Sequence, residues 1–516
     1  MPRLKWWPYE TGRMSPSIET NAILSNIPTH FPRTAGFLRE FFASRNISAY
    51  LVGGAVRDSL LGRPIGDIDV AVDGDPLRVG AELARSLGGS SVAMDEPRKI
   101  VRVAARDGDR NVIIDLSPIR GNIEEDLGGR DFTVNAMALP MLDAGMPDTS
   151  SETVDPYGGL RDLDAGVLRS VRPSVFADDP ARLMRAPRIA AQLGLAIEDE
   201  TAGQIKRDAG LIAAVAPERV GPELLKLVEP PGVARSLRIL DELGLLGRII
   251  PEMAEARGVA QPSEHHWDVF DHCVETAGQV ETLLQETRTD SRLLSGLVPM
   301  FAGMEQYFAQ RVSDGQSRLT LLKLTGLLHD IGKPSTKTVE ETGRIRFLGH
   351  HEEGARIAAQ VLTRLRFSRR GVDHVTRMVQ HHLRPGQMAE RGELPSRRAI
   401  YRFYRDADDV AVDTLYLNMA DYLAARGPDI DEQDWSGHCR VIDHILREGL
   451  ANAESVRAPG LVNGTEIMTK FSLPPGPVVG QLLEAVREAQ AAGEISSTRE
   501  AIQLVKSRLD IGDSGA

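Results

Sequence analysis

The sequence predicts an α+β protein: a mixed sheet with helices in the first third of the chain, and helices alone after it. Three observations carry this. From Tyr50 to Asp75 the run YLVGGAVRDSLLGRPIGDIDVAVDGD reads as a strand, a tight turn at Gly53-Gly54, a short helix from Ala55 to Leu61, and a second strand from Asp67 to Val72. Two more runs, Ile100 to Ala104 and Asn111 to Leu116, read as strands joined by a turn at Asp107-Gly108-Asp109. Farther along, helical spacing takes over, most plainly from Glu198 to Glu229.

Composition sets the outer limits. A chain of 516 residues is too long for a single core. No apolar run approaches the ~20 residues needed to span a bilayer, and the N-terminal MPRLKWWPYETGRM lacks the apolar core of a signal peptide. A cytoplasmic protein with no membrane partner is expected. Cys273 and Cys439 are the only cysteines, which argues against a disulfide framework. With a net charge of −12, affinity for generic polyanions is expected to be poor, so any contact with RNA must come from a local basic surface.

Taken in order, residues 1 to about 20 are polar and broken by Pro and Ser, and are expected to be disordered. Pro32 to Arg45 has helical spacing, with Phe37, Leu38, Phe41 and Phe42 on one face. In the strand Asp67–Val72, side chains two apart share a face, so Asp67 and Asp69 project together while Ile68 and Val70 turn to a core. Two carboxylates so close are costly without a cation between them. Hard oxygen ligands favour Mg²⁺, which normally arrives carrying nucleotide phosphates. Gly53 and Gly54 let backbone N–H groups approach a triphosphate, and Arg57 extends the anion site one turn later. Pro76 to Leu87 reads as a helix closed by Gly88-Gly89. Asp115, near the end of the fourth strand run, is either a third carboxylate of the site or an ordinary hydrogen-bonding Asp.

The segment from Tyr50 resembles the first motif of the class II tRNA nucleotidyltransferases and bacterial poly(A) polymerases, in which LVGGxVRDxLLG precedes a metal-binding DxD. EEDLGGRDFTVNAMAL, from Glu124 to Leu139, resembles the second motif: Arg130 and Asp131 match it, and Gly129 stands where an arginine is common. The resemblance implies that Arg130 contacts ribose or phosphate. Only Gly121 to Glu125 lie between Arg120 and Asp126, where the family's DLxRRDFT pattern starts, a short spacing that resembles members adding only CC. DPYGGLRDLDAGVLRSV, from Asp155 to Val171, resembles the third motif and is given structural work.

FADDPARLMRAPRIAAQLG resembles the family's EDxxR motif, with Asp178 in place of Glu. Asp178 is expected to cap a helix with Pro180 in its first turn, and spacing by threes sets Asp179, Arg182, Arg185 and Arg188 along one side. Pro187 is expected to kink that helix. By resemblance, Asp179 and Arg182 read the incoming base. A carboxylate only accepts and a guanidinium only donates, so the pair suits the amino donor and ring-nitrogen acceptor of cytosine and adenine and leaves unpaired groups against uracil and guanine.

Histidines cluster between His265 and His382, which argues for metal. HHWDVFDHCVET, LLHDIGKP, GHHEEGA, VQHHLRP and NMADYLAARG resemble the HD phosphohydrolase superfamily. The resemblance implies that His272, His329, Asp330 and Asp421 bind one metal, Mg²⁺ or a divalent transition metal, and that His350 and His382 hold a second. Lys333 would meet a phosphate. Thr287 to Arg318 reads as an insertion, and LVNGTEIMTKFSLPPG onward resembles the family's C-terminal helical segment.

These readings divide the chain into an N-terminal arm and leading helix (1–45), a nucleotidyltransferase palm (46–175), a helical neck and body (176–262), an HD domain (263–430) and a C-terminal helical domain (431–516). The expected activity is transfer of all or part of CCA from CTP and ATP to tRNA, with a CC-only enzyme, a poly(A) polymerase and an HD phosphohydrolase with an RNA-binding palm as alternatives.

Overall fold

The computed structural model describes residues 32–141, 153–284, 297–389, 393–451 and 460–513. The expected disorder before residue 20 lies outside them. The chain divides into two compact units, Met1–Leu211 and Ile212–Ala516.

The first unit is built on a six-stranded sheet of β1 (Ala49–Val52), β2 (Asp67–Val72), β3 (Ser90–Asp95), β4 (Ile100–Asp107), β5 (Arg110–Pro118) and β6 (Ala138–Pro140), ordered β3-β4-β5-β2-β1-β6. The β2–β5 pair is parallel; the other neighbours are antiparallel. A parallel neighbour requires a long crossover, supplied here by the helix Pro76–Ser86 and the strands after it. Period-two alternation decides what β2 shows: Ile68 and Val70 are buried while Asp67 stays open. Leu38, Phe41 and Phe42 of the helix Pro32–Ala43 join the same core as Ile68, Val70, Val103 and Ile114.

The strands, the turn at Gly108-Asp109 and the helices Gly54–Leu60 and Pro76–Ser86 match expectation. Two strands of this sheet were not foreseen. Every residue of β3 is exposed but Asp95, so SSVAMD offers no alternation to read, and β6 has only three residues. Asp178 does not cap the helix that follows. It ends a short helix, Val175–Asp178, and its carboxylate accepts from Arg172 Nη2 (2.8 Å) and Ser174 Oγ (2.9 Å). The next helix, Arg182–Leu193, starts beyond Pro180 and continues through Pro187.

The second unit is mainly helical, with two short hairpins, Arg311–Ser313 with Gln316–Ser317 and Lys337–Val339 with Ile345–Phe347, that were not foreseen. Val269–Leu284 packs against both Arg318–Leu328 and Ala411–Arg426, and His350–Arg364 packs against Arg369–His381. Arg318–Leu328 and Ala411–Arg426 are buried almost all round, so each sits inside the bundle rather than on it. Lys323 and Glu281, both buried, pair at 2.6 Å. The ammonium also donates to the carbonyls of Val228, Glu229 and Pro230, and the carboxylate accepts from the N–H groups of Gly232 and Val233, so one ion pair secures the turn between two helices. The described end of the expected insertion is packed inward: Tyr307 and Arg318 both donate to the buried Asp413 carboxylate, at 2.6 and 2.8 Å.

Near the C-terminus, Val462, Ile467, Val479, Leu482, Val486, Ala501 and Val505 form a small core. Arg402 forks onto Glu488 at 2.6 Å, joining the helices Arg397–Ala407 and Pro477–Ala491. Among the described residues, no helix is long and apolar enough to cross a membrane.

Candidate active sites

The first site lies on the sheet of the first unit. Parallel pairing of β2 with β5 sets Asp69 level with Asp115, and Asp67 stands two residues earlier on the same face. The structure therefore brings Asp67, Asp69 and Asp115 together. It also adds Arg102 from β4, opposite Asp115 in the hairpin register. The guanidinium forks onto Asp115, Nε to Oδ1 at 2.8 Å and Nη2 to Oδ2 at 2.7 Å, and Nη2 lies 3.4 Å from Asp67 Oδ2. Asp115 is thus both a member of the cluster and a hydrogen-bonded Asp, the two readings left open above. Burial pushes the Asp69 carboxyl up to about 6, with Asp115 and Asp67 adding to the effect and Arg130 opposing it. Three carboxylates with one of them pushed toward neutrality form a donor set that fits a divalent cation.

Gly53 precedes the short helix with φ +69°, a left-handed conformation that favours glycine. A Cβ there would stand 2.8 Å from Arg130 Nη1 and 3.6 Å from Asp69 Oδ2. The bare backbone is what lets Arg130 lie over the turn beside the carboxylates. Gly54 opens the helix that carries Arg57, whose Nη1 donates to Asn135 Oδ1 at 2.5 Å. Asn135 Nδ2 in turn donates to Asp131 Oδ1 at 3.1 Å, and Arg185 Nη2 meets Asp131 Oδ2 at 2.9 Å. Asp131 is buried, which alone would raise its pKa, but Arg185, Asn135 and the Phe132 N–H hold it below the usual carboxylate range. A continuous polar chain, Arg57–Asn135–Asp131–Arg185, so joins the glycine turn to the helix Arg182–Leu193.

Arg182 Nη2 donates to the Gly129 carbonyl at 2.8 Å, its Nε lies 4.0 Å from Asp179 Oδ2, and burial lowers its pKa. Arg188 donates to Gln192 Oε1, one turn along its own helix, at 2.6 Å. Sequence reasoning missed Arg102 and Asn135. A two-residue turn pairs Asp107 with Arg110 and thereby fixes Arg102 opposite Asp115, so the hairpin register carried the signal for the first. Asn135 sits in a 3₁₀ turn, Thr133–Asn135, whose contacts local spacing does not specify.

The second site is buried in the helical unit. His272, His329, Asp330 and Asp421 each bring one donor atom within 4.8 Å of the others, as do Asp330, His350 and His382. His272 Nε2 lies 3.0 Å from Asp421 Oδ1 and 3.3 Å from Asp330 Oδ2. On the other side of the same carboxylate, His350 Nε2 is 3.3 Å and His382 Nε2 3.7 Å from Asp330 Oδ1. The donors come from Val269–Leu284, the end of Arg318–Leu328, His350–Arg364, the end of Arg369–His381, and Ala411–Arg426.

Three of the imidazoles are anchored alike: Nδ1 of His329, His350 and His382 faces the carbonyl of Gly326, Phe347 and Val379 at 2.8, 2.6 and 2.6 Å. With the proton on Nδ1, each Nε2 offers its lone pair to the centre, the arrangement metal-binding histidines use. Asp330 Oδ1, His350 Nε2 and His382 Nε2 are buried without hydrogen-bond partners. Orphaned polar atoms of this kind, facing one another, fit a divalent metal ion. Lys333 Nζ reaches Asp330 Oδ2 at 2.6 Å and Gln261 Oε1 at 2.7 Å.

Residues 49–169 match the family model for the poly A polymerase head domain, 194–257 the probable RNA and SrmB-binding site of polymerase A, and 269–426 the HD domain. An A-adding tRNA nucleotidyltransferase of Deinococcus radiodurans is 35% identical over 89% of this chain and 95% of that protein. A CC-adding tRNA nucleotidyltransferase of Thermus thermophilus is 34% identical over 88% of this chain and 92% of that protein. In fold, the chain is similar to a Thermotoga maritima CCA-adding enzyme complexed with tRNA (TM-score 0.58, 20% identity, 95% of this chain and 98% of that one) and to a CCA-adding enzyme with ATP (TM-score 0.62, 20% identity, the same coverage). The chain belongs to the tRNA nucleotidyltransferase and poly(A) polymerase family, and it is an enzyme of that family carrying an HD domain.

Proposed function

We propose that the protein transfers nucleotides from CTP and ATP to the 3′ end of tRNA, adding all or part of CCA. The observation that carries this reading is the placement of Asp69 level with Asp115 on two parallel neighbours, with Asp67 two residues earlier on the same face, beside a glycine turn that admits Arg130. Asp67 and Asp69 would hold Mg²⁺, with Asp115 as the third carboxylate. When bound, the metal supplies charge stabilisation at the attacking 3′ hydroxyl and the leaving pyrophosphate. The N–H groups at Gly53 and Gly54, with Arg57 and Arg130, orient the triphosphate and ribose. Asp131 acts behind them, keeping Arg57 in place through Asn135 and Arg185 by a direct ion pair.

Asp179 and Arg182 would select the base, with Arg185 and Arg188 extending the same helix side. An Arg182 Nε that is buried without a hydrogen-bond partner supports this, because an incoming base acceptor would satisfy it. The five-part division of the chain given by its motifs is proposed with this function. In the HD domain, the quartet of His272, His329, Asp330 and Asp421 would hold one divalent ion and His350 with His382 a second. Lys333, in reach of Asp330, would meet a phosphate of a phosphohydrolase substrate. We propose a cytoplasmic setting, where tRNA and nucleotides are at hand.

The test is incubation with tRNA transcripts lacking CCA, ending in C, or ending in CC, each with one labelled nucleotide at a time. Two relatives of nearly equal identity bear the names A-adding and CC-adding, so the pattern of incorporation decides the nucleotide range. Incorporation of A at a CC end without C addition assigns A addition, and the converse assigns CC addition. Long A tails on unrelated RNAs would replace this reading with a poly(A) polymerase. Failure of every nucleotide on every transcript would leave the phosphohydrolase.

A further inference from the structure

We infer that Arg102 is a gate on the three-carboxylate face, occupying Asp115 and Asp67 until a divalent cation and its nucleotide arrive together and then turning to the triphosphate. The inference rests on the nucleotidyl-transfer reading and deepens it.

The hairpin register sets Arg102 beside Asp115, and the fork takes both oxygens of that carboxylate while Nη2 reaches toward Asp67 on the next strand. One guanidinium thus spans two strands where the cation belongs. A divalent ion and a guanidinium repel at this range, and they compete for the same in-plane lone pairs. Both cannot hold Asp67 Oδ2 and Asp115 in this arrangement. Arg102 is able to leave: its side chain is 38% exposed, against 21% for Asp115, and it carries a long flexible stem. The carboxylates, being short and on rigid strands, stay.

The destination follows from charge. A triphosphate brings several negative charges to the face, and a guanidinium released beside it gains a bidentate partner of the kind it prefers. A metal arriving alone has to displace Arg102 with nothing to receive it, whereas a metal arriving with nucleotide does not. Cation and nucleotide are therefore coupled, each tightening the other.

The test uses the full-length chain with Fe²⁺ as a Mg²⁺ surrogate and ascorbate with peroxide, so that the bound ion cuts the nearby backbone. Cuts within β2 and β5 are told from cuts around the HD histidines by fragment size. In Arg102→Gln without nucleotide, half-maximal cutting at β2 is expected at about tenfold lower Fe²⁺ than in the wild type, the scale of removing one nearby positive charge. CTP lowers the Fe²⁺ requirement of the wild type, has little further effect in the variant, and shows a raised KM there. Arg102→Lys, which keeps the charge but not the fork, retains part of the coupling and serves if the Gln variant does not fold. An unchanged or higher Fe²⁺ requirement in both variants, or an unaltered CTP effect, overturns the gate and leaves nucleotidyl transfer standing. A wild type that is never cut at β2 overturns the carboxylate site along with it.

Discussion

The two sites mix acidic and basic groups in opposite proportions and arrange them in opposite ways. On the sheet, Asp67, Asp69 and Asp115 stand on a partly open face with the part-exposed Arg102 among them. In the HD cluster, His272, His329, Asp330 and His382 are buried, three imidazoles are tethered to backbone carbonyls, and the donors come from five helices. The difference teaches what each site is built to exchange. Under the proposed function, an open face neutralised by a flexible cation would admit metal and nucleotide and release pyrophosphate at each turnover. A buried, tethered cage would keep a bound ion, because emptying it leaves polar atoms unpaired in a dry interior.

Substitutions break that comparison in order of expected size. Replacing Asp67 and Asp69 together by Ala should reduce incorporation at a tRNA end by about 10³-fold or more, the scale on which lost charge stabilisation acts, with little change in melting temperature. Single-nucleotide incorporation assays and thermal melting check both halves, and retained activity would sink the site. His329→Ala or Asp330→Asn should do the reverse. Opening a buried charged cluster typically costs roughly 3–5 kcal/mol, so these variants should melt earlier and lose bound metal by elemental analysis while transfer persists.

Arg182→Ala sharpens the contrast within the first unit. It should let U or G compete with C and A about 10²-fold better, because the wrong base no longer leaves a buried donor unpaired, while overall folding is kept. Competition assays with paired labelled nucleotides read this directly, and unchanged selectivity would remove Arg182 from base reading. The smallest effect is in pH. The Asp69 carboxyl, pushed up to about 6, is protonated below that value and cannot then serve a cation. Metal affinity at the sheet should thus fall roughly tenfold from pH 7 to pH 5, about one pH unit below the carboxyl's midpoint. Metal titrations at the two pH values measure it, and a flat profile would contradict the assignment.

Local chemistry wrote much of the first site into the chain. The DxD alternation, the Gly53-Gly54 turn and Arg57 each depend on neighbours only a few residues away, and period two on a strand is enough to aim Asp67 and Asp69 together. The same local logic failed at Asp178, where Arg172 from the preceding turn outcompeted the next helix for the carboxylate. It failed again at β3, whose exposed residues follow no pattern. In the HD cluster, the histidine-rich runs identified the ligand types, but their meeting on Asp330 is a matter of helix packing.

Residue order alone therefore settled which groups could ligate, donate or bend, since those properties belong to side chains and to spacings of two, three or four. Tertiary structure decided which of them face one another: Asp115 beside Asp69, Arg102 across Asp115, Asn135 between Arg57 and Asp131, and imidazoles 57 residues apart touching at 3.2 Å. The physical reason is that a backbone spacing fixes direction only within one helix or strand. Contact between distant elements is set by strand register and by how helices bury their apolar sides, which the whole chain determines at once.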